Sequence, residues 1–306
     1  MLYPIIMAGG GGTRLWPVSR KNQPKQVLPI LGGKTLLQRT YARLRKGFGP
    51  DRIFVATADA LVGAVRSQLP ELPKKNISPE PMRRETAPAL GLALLRLHAR
   101  DPQASFVYVN ADNFIRNETE FIRTLRAAER LVRKEPNKLV LIGVAPHYPE
   151  TGYGYIKMGK RVPGSGAYAA ERFVEKPDAA HAKRFLAAGN YLWNPTLLVG
   201  RVAYMLALYK KHLPAVYRQL MSIAPAVGTA RENAAIRRAF RAMPRVTIDY
   251  GILEKEKSMV VIPADFGWVD VGHWRTVKDV LAADPAADVA VGRHVGVGSE
   301  GNLVYG

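Results

Sequence analysis

Residues 1–26 read MLYPIIMAGGGGTRLWPVSRKNQPKQ, an apolar run followed by four glycines and then by scattered basic residues. The apolar run at residues 2–7 predicts a buried strand. Glycines directly after a strand leave backbone N–H groups free to surround phosphate oxygens. Arg14 adds a guanidinium that suits two phosphate oxygens, and Lys25 adds a point charge in a loop stiffened by prolines. This stretch therefore predicts a strand that leads into a phosphate-binding loop, with a flexible surface turn as the alternative.

The glycine-rich loop matches neither of two common phosphate-binding motifs. A dinucleotide-binding G-x-G-x-x-G motif fails in both registers, because its third glycine would fall on Arg14 or Leu15. A Walker A motif ending at Thr35 would need a glycine in place of Leu28. The loop is therefore expected to bind phosphate through a different arrangement.

Composition limits the class of protein. The chain has 306 residues, 47% of them hydrophobic and 23% charged, and it contains no cysteine. Disulfides, thiolate metal sites and cysteine nucleophiles are therefore excluded, which fits a reducing compartment. No apolar run approaches the roughly 18 residues of a membrane span, and the N-terminus lacks a signal peptide's basic region. We expect a soluble cytoplasmic protein.

The formal net charge of +20 invites a nucleic-acid-binding interpretation. The basic residues are scattered, however, and most fall on predicted helices beside apolar residues, as solvated helix faces do. No arginine-rich tail is present. We therefore expect neither nucleic acid nor membrane as a partner, while a basic cleft for a polyanionic small substrate is compatible with the charge.

Strands and helices alternate in the first half of the chain. Strands are predicted at residues 2–7, 52–56, 105–110 and 138–144, and helices at 35–48, 60–69, 87–99 and 118–134. This alternation predicts βαβ units and a parallel sheet. The continuously apolar run LVLIGV within the last of these strands is typical of a strand covered on both faces.

Short strand-like segments follow one another closely after Pro146, with glycine and proline turn signals between them. They include GYGYIKM, AYAAERFVEK and LWNPTLLVG, then strands at 259–263 and 267–271 and helices near 203–211, 231–242 and 274–282. No low-complexity linker separates the halves, so we predict one α/β domain over residues 1–285 with a mixed, mostly parallel sheet. The glycine-punctuated, strand-like sequence of residues 286–306 predicts a short β tail, which is either an edge strand or the start of a longer tail.

Seven sequence blocks, in order along the chain, together resemble the sugar-nucleotide pyrophosphorylase family. They are GGGGTRLWPVSRKNQPKQ at 9–26, RRETAPA at 83–89, TGYGYI at 151–156, FVEKP at 173–177, YLWN at 191–194, IDYGILEK at 248–255 and FGWVDVGHW at 266–274. The spelling of the first block looks like that of the mannose-1-phosphate guanylyltransferases. The resemblance implies a Rossmann-like nucleotidyltransferase fold of the glycosyltransferase-A type. It also implies synthesis of GDP-mannose and pyrophosphate from GTP and mannose 1-phosphate, with Mg²⁺ as cofactor.

The resemblance also implies a set of site residues. They are Arg14, Lys25 and Lys176 in catalysis, Gly9, Gly10, Gly12, Thr13, Thr86 and Pro88 at the nucleotide, Gly154, Glu175 and Asn194 at the sugar, and Asp112 and Asp270 at the metal. Arg14 and Lys25 would hold the departing β- and γ-phosphates, and Lys176 the attacking phosphate. Because that phosphate is already ionised at neutral pH, no general base is required, and catalysis is positioning plus electrostatics.

Two of these assignments are also supported by position. Asp112 follows a predicted strand at its carboxyl end, where ligands bind in open α/β sheets, and separated aspartates suit nucleotide-bound Mg²⁺. Glu175 and Lys176 come where a strand ends, so both side chains can face one site only if the backbone turns there. The ordinary alternatives are a turn or cap for each aspartate and a surface ion pair for Glu175 with Lys176.

Three further residues have simple structural interpretations. Asn194 lies in an apolar strand and needs hydrogen-bond partners if it is buried. Thr86 precedes a predicted helix and is a candidate N-cap. Gly154 would let sugar hydroxyls approach the backbone. The six histidines show no spacing typical of zinc ligands, so a zinc site is not expected.

The chain departs from the family pattern at three positions. Asn113 stands where the family usually has histidine, Glu85 where it has asparagine, and Pro195 where serine or alanine is common. Pro195 removes an N–H that a sugar hydroxyl or a neighbouring strand would use. The alternatives are therefore a pyrophosphorylase for another NTP and hexose 1-phosphate, or a non-catalytic regulatory homologue. Relatives of this kind continue into a β-helical tail, which residues 286–306 would begin, and a homodimer is left open.

Overall fold

A nine-stranded sheet flanked by helices forms the centre of the computed structural model, which describes residues 1–10, 13–284 and 286–306. The strands are β1 (Leu2–Ala8), β2 (Phe54–Ala58), β3 (Ile77–Glu80), β4 (Ser105–Asn110), β5 (Asn113–Ile115), β6 (Leu139–Val144), β7 (Gly154–Val162), β8 (Ala167–Val174), β9 (Tyr191–Arg201), β10 (Met259–Ala264), β11 (Trp268–Asp270), β12 (Val289–Val291) and β13 (Leu303–Tyr305). The α-helices are α1 (Leu36–Arg45), α2 (Val62–Gln68), α3 (Thr86–Arg100), α4 (Glu118–Lys134), α5 (Ala179–Ala188), α6 (Val202–His212), α7 (Pro214–Ile223), α8 (Glu232–Ala242) and α9 (Trp274–Leu281).

The order of strands in the large sheet is β3-β2-β1-β4-β9-β6-β10-β8-β7. Strands β8 and β9 run against the other strands of this sheet, which all point the same way. The predicted mixed, mostly parallel sheet is therefore confirmed. Strands β7 to β10 from the second half belong to the same sheet as the strands of the first half.

Two hydrophobic layers cover the two faces of this sheet. Consecutive residues of β1 contribute to opposite layers, Ile5 to one and Ile6 to the other, because side chains alternate along a strand. Strand β6 behaves in the same way, with Leu141 and Ile142 on opposite faces and both fully buried. The apolar run LVLIGV is thus covered on both faces, as its composition predicts.

Most predicted elements agree with the structure to within two residues. Helix α4 matches its predicted bounds, and Asn117 caps it by accepting a hydrogen bond from the Glu120 N–H. Strand β3 and helices α5 and α7 were not predicted. Strand β3 has only four residues, ISPE, and contains a proline, so it has no clear alternation. Helix α7 begins at Pro214, a residue that also marks loops and turns.

The N-cap expected at Thr86 is wrong. Thr86 is the first residue of α3, and Glu85 occupies the capping position without a side-chain capping bond. The Thr86 hydroxyl instead accepts a hydrogen bond from the Ile248 N–H at 2.9 Å. Thr86 therefore joins the start of α3 to a distant segment rather than capping its own helix.

Residues 286–306 fold back near the loop that follows β1. Strands β12 and β13 pair in parallel with each other. The Tyr305 ring packs on Trp274, with centroids 5.1 Å apart, and its hydroxyl donates to the Pro29 carbonyl at 3.4 Å. Across the described parts of the chain, the helices are too short or too polar to span a membrane.

Candidate active site

Two adjoining cavities open at the carboxyl ends of the parallel strands. One, here called the first lobe, has a volume of about 260 Å³ and is lined by residues that include Gly9, Glu80 and Arg245. The other, the second lobe, has a volume of about 360 Å³ and is lined by residues that include Lys176 and Asp270. The two lobes share the wall residues Thr86, Tyr108, Asn110 and Asp112. They are therefore two parts of one cleft, which meet beyond the end of β4.

The glycine-rich loop forms one wall of the first lobe at Gly9 and Gly10. The side-chain amide of Gln26 lies beneath it and donates to the carbonyls of Ala8 at 3.1 Å, Gly9 at 3.2 Å and Gly10 at 3.4 Å. Gly10 has φ +99°, a conformation that side chains disfavour. Gln26 is buried and was not singled out from the sequence, although it directly follows Lys25. The predicted nucleotide-binding residue Gly12 lies outside the described residues.

Arg14 and Thr13 share a 3₁₀ turn after this loop but face different surroundings. Arg14 lines the second lobe, where its guanidinium is near Asp270 and counteracts the rise in pKa of that carboxyl. Thr13 is exposed and is not part of the lobe walls. Arg20, another basic residue of the same stretch, donates from Nε to the Pro17 carbonyl at 3.1 Å and so stabilises the loop itself.

Lys25 lies between the two predicted metal ligands. Its Nζ is 2.8 Å from Oδ2 of Asp112 and 3.9 Å from Oδ1 of Asp270, and it also donates to the Val271 carbonyl at 2.8 Å. The antiparallel pairing of β5 with β11 places Asn113 opposite Asp270, which brings the two aspartates together. The structure thus juxtaposes two residues that the sequence could not place side by side.

The chemistry of these two carboxylates fits a nucleotide-bound magnesium ion. Burial and the nearby Asp112 raise the pKa of Asp270, while Lys25 and Arg14 act in the opposite direction. In the described ranges no group of three or more His, Cys, Asp or Glu residues could hold a metal on its own. Mg²⁺ usually takes one or two carboxylates and completes its shell with phosphate and water oxygens. Asp112 and Asp270 match that pattern.

Gly154 and Glu175 are in contact in the second lobe. A Cβ atom at position 154 would lie 2.6 Å from Oε2 of Glu175, so glycine is needed there to admit the carboxylate. Glu175 follows the last residue of β8, and Lys176 has φ +47°, so the backbone turns there, which is the condition for both side chains to face one site. Lys176 Nζ is 2.7 Å from Glu175 Oε1, with side-chain exposures of 55% and 8%. Both side chains line the lobe, so the pair is not only a surface ion pair.

Asn194 is buried and has hydrogen-bond partners, as expected. Its Oδ1 accepts from the Thr196 N–H at 3.0 Å, and its Nδ2 donates to Oδ1 of Asp249 at 3.3 Å. Strand β9 pairs with β7 as far as Asn194 and resumes pairing with β6 and β4 at Leu197 and Leu198. Pro195 lies at the irregularity between these pairings, where its missing N–H costs no ladder hydrogen bond.

Asp249 is a buried carboxyl of the second lobe that sequence reasoning missed. It begins a short π-helical turn, Asp249–Leu253, within the block IDYGILEK. Burial and the neighbouring Glu175 raise its pKa to about 7. The block is one of the seven that resemble the family, but only the fold shows that this carboxyl faces the lobe beside Asn194.

The segment before α3 closes the first lobe. Glu85 has φ +70°, an unusual value for a residue other than glycine, and its carboxylate pairs with Arg245 at 2.5 Å. The backbone N–H of Val246 donates to the Arg84 carbonyl at 3.2 Å, so the segment is tied to the chain after α8. Pro88 is buried in the first turn of α3, where its missing N–H needs no partner.

A cleft of this size at the carboxyl ends of a mostly parallel sheet, with a glycine-rich loop in one lobe and paired aspartates at the junction, is typical of nucleotide-binding α/β proteins. A family model described as Nucleotidyl transferase matches residues 3–286. The chain therefore belongs to the nucleotidyl transferase family.

Named relatives support the same family. The chain is 37% identical over 311 residues to xanthan biosynthesis protein XanB of Xanthomonas campestris, covering 100% of this chain and 65% of the relative. It is 37% identical over 316 residues to mannose-1-phosphate guanylyltransferase ManC of Salmonella typhimurium, covering 99% of this chain and 64% of the relative. The chain thus spans just under two thirds of the length of these curated relatives. A Thermus thermophilus structure described as mannose-1-phosphate geranyltransferase superposes with a TM-score of 0.88 at 32% identity, covering 99% of this chain and 88% of that one.

Proposed function

We propose that this protein transfers GMP from GTP to mannose 1-phosphate, which forms GDP-mannose and releases pyrophosphate. The observation that carries the proposal is the junction of the two lobes at Asp112, opposite Asp270. A substrate in each lobe would bring its phosphate groups to this junction. The printed name of the Salmonella relative, a mannose-1-phosphate guanylyltransferase, agrees with this choice of substrates.

The first lobe is assigned to GTP and the second to mannose 1-phosphate. Gly9 and Gly10 allow the triphosphate to approach the backbone, as a glycine-rich loop after a strand does elsewhere. In the second lobe Glu175 and Asn194 bind sugar hydroxyls. Lys176, held by Glu175, binds the phosphate of mannose 1-phosphate and directs it toward the junction.

Catalysis then consists of alignment and charge neutralisation. The attacking phosphate oxygen is already ionised, so the barrier is repulsion between anions. Mg²⁺ bound by Asp112 and Asp270 would neutralise the charge on the nucleotide phosphates. Arg14 faces the same junction, and Lys25 supplies a buried positive charge beside both aspartates. Each group acts where negative charge accumulates on the departing pyrophosphate.

Pyrophosphate release with Mg²⁺ tests the proposal directly. The panel combines GTP, ATP, UTP and dTTP with mannose 1-phosphate and glucose 1-phosphate. We expect the highest kcat/KM for GTP with mannose 1-phosphate. If another NTP and hexose 1-phosphate are preferred, the proposed substrates are wrong but the proposed reaction stands. Binding without turnover in every combination would favour a regulatory role. The cytoplasmic location and the homodimer stay predictions from the sequence.

A further inference from the structure

A small third hydrophobic cluster adjoins the junction of the two lobes, apart from the two layers that cover the sheet. Its buried members come from the segment after β1, the start of α1, the residue after β11 and helix α9; they are Leu15, Ile30, Leu31, Leu36, Val271 and Val277. Leu15 directly follows Arg14, and Val271 directly follows Asp270. The Val271 carbonyl also accepts a hydrogen bond from Lys25. The third cluster therefore packs beside the backbone that carries the charged groups of the junction.

Side-chain packing matters here because regular hydrogen-bonded structure is scarce after β1. Residues 13–35 contain two 3₁₀ turns and no α-helix or β-strand. Arg14 lies in the first of these turns and is exposed, so the position of its guanidinium depends on how the turn is held. A Cβ atom at Gly272 would lie 3.6 Å from Nη1 of Arg14 and 2.7 Å from Oδ2 of Asp270, so both groups approach one point. A shift of about 1 Å in such a group can lower the rate about 100-fold.

The tail of the chain reaches the same turn from the other side. Leu303 of β13 packs on the third cluster. The ring of Tyr305 packs on Trp274 with centroids 5.1 Å apart, and Nε1 of Trp274 donates to the Trp16 carbonyl at 3.1 Å. Trp16 lies two residues after Arg14. One ring contact and one hydrogen bond thus connect the tail to the turn that carries Arg14.

We propose that Tyr305 is a positioning residue for Arg14, acting through Trp274 and the Trp16 carbonyl. The ring of Tyr305 restrains the indole of Trp274, and the hydrogen bond from that indole then fixes the turn. The inference rests on the proposed function, because it takes Arg14 to stabilise the departing pyrophosphate. It adds that residues 286–306 control the rate of the reaction without touching either substrate.

The expected effect is on rate rather than on folding. Neither of the two layers that cover the sheet includes a described residue of the tail. Loss of the Tyr305 ring should therefore loosen the turn and leave the main core intact. Strand β13 also supplies its own control, because side chains alternate along a strand. Leu303 and Tyr305 face the third cluster and Trp274, whereas Val304 between them points to the other side.

The test measures pyrophosphate release from GTP and mannose 1-phosphate by the full chain and its variants. We expect Tyr305→Ala to lower kcat about tenfold or more, while the KM of each substrate changes less than about threefold. Tyr305→Phe keeps the ring and loses only the hydrogen bond to Pro29 at 3.4 Å. Tyr305→Phe and Val304→Ala should both stay within about twofold of the unmodified chain.

A double-mutant cycle separates positioning from a general structural role. In an Arg14→Ala background, Tyr305→Ala should lower kcat by less than about twofold, because the group that it positions is gone. A purely structural role of the tail predicts the same fold loss with or without Arg14, and that result would overturn the inference. Equal effects of Tyr305→Ala and Val304→Ala would also overturn it.

The outcomes for the unmodified chain test the proposed function by itself. If the unmodified chain releases no pyrophosphate from any NTP and hexose 1-phosphate, the proposed function fails. If it is active and Tyr305→Ala keeps the same kcat, the role of Tyr305 is overturned while the proposed function stands. Should Tyr305→Ala not fold, Trp274→Phe is the second variant. It keeps a ring beside Tyr305 but lacks the donor to Trp16, and it must lower kcat in the same way.

Discussion

The ammonium group of Lys25 lies 2.8 Å from the carboxylate of Asp112, at the point where the two lobes of the cleft meet. The side chain of Lys25 is buried, with 9% of it exposed. Its Nζ also lies 3.9 Å from Oδ1 of Asp270. A cation is therefore already built into the position where the proposed reaction needs positive charge. Lys25 and a metal ion bound at this point would therefore share the same two carboxylates.

Replacement of Lys25 by alanine is expected to lower turnover by about two orders of magnitude or more, because a buried positive charge is lost beside the reacting phosphates. The two aspartates would then have only Arg14 and Mg²⁺ to neutralise their charge. We expect millimolar Mg²⁺ to raise the unfolding temperature of Lys25→Ala more than that of the parent chain. Thermal unfolding with and without Mg²⁺, together with pyrophosphate release, measures both effects. Equal Mg²⁺-induced shifts in the two proteins would contradict the shared site.

Asp270→Asn should separate activity from stability. Burial and Asp112 raise the pKa of Asp270, so neutralising it relieves repulsion in the folded state. We expect turnover to drop by orders of magnitude while the free energy of unfolding stays equal or increases. Asp265→Asn is the control, since Asp265 is exposed a few residues earlier in the chain. Near-normal pyrophosphate release from Asp270→Asn would remove this residue from the proposed metal site.

Gln26 is expected to control how well the glycine-rich loop binds the triphosphate. Its amide donates to three successive carbonyls, so Gln26→Met should free the loop and raise the KM for GTP about tenfold or more. Gln26→Glu should be worse, because a carboxylate would face the same carbonyls without a donor. The KM for mannose 1-phosphate should change little in either variant. A fall in kcat with no change in the KM for GTP would argue against this role.

The affinity for GTP is expected to weaken below neutral pH. Burial raises the pKa of Glu80 to about 7, Arg83 works in the opposite direction, and Glu85 adds to the rise. Glu80 lines the lobe proposed for GTP, and its ionised form accepts hydrogen bonds from a ligand better than its protonated form does, so protons would compete with GTP below about pH 7. The KM for GTP should rise up to about tenfold between pH 7 and pH 6. In Glu80→Gln this part of the pH profile should be flat, and an unchanged profile would count against a role of Glu80 in GTP binding.

Stability at acidic pH should depend on Glu256. Although burial opposes its ionisation, hydrogen bonds from His212, the Ser258 N–H and Lys211 lower its pKa to about 2. The folded-state pKa of Glu256 lies below the unfolded value of about 4.3. Its ionised carboxylate therefore adds to the free energy of unfolding above about pH 4.3, and this stabilisation is lost as the pH falls toward about 2. Glu256→Gln should therefore be less stable at about pH 6, and the difference should shrink by about pH 2. Chemical denaturation at both pH values measures it, and a constant difference would refute the linkage.

Local sequence patterns determined most of the secondary structure. Strands β1, β4 and β6 are continuous apolar runs, and helix α4 repeats its apolar residues at helical spacing, so short-range periodicity suffices to predict them. The blocks that resemble a family added the choice of residues, but not their geometry.

Tertiary structure alone decided how the candidate site is assembled. The meeting of Lys25, Asp112 and Asp270 depends on the pairing of β5 with β11, and no local pattern encodes which distant segments pair. Glu80 and Asp249 matter because they are buried at the edges of cavities, and burial is a property of the whole fold. The sequence by itself thus determined the elements and the chemistry of their side chains. Long-range packing decided which of those side chains face each other, because contacts between distant segments form only when the complete sheet assembles.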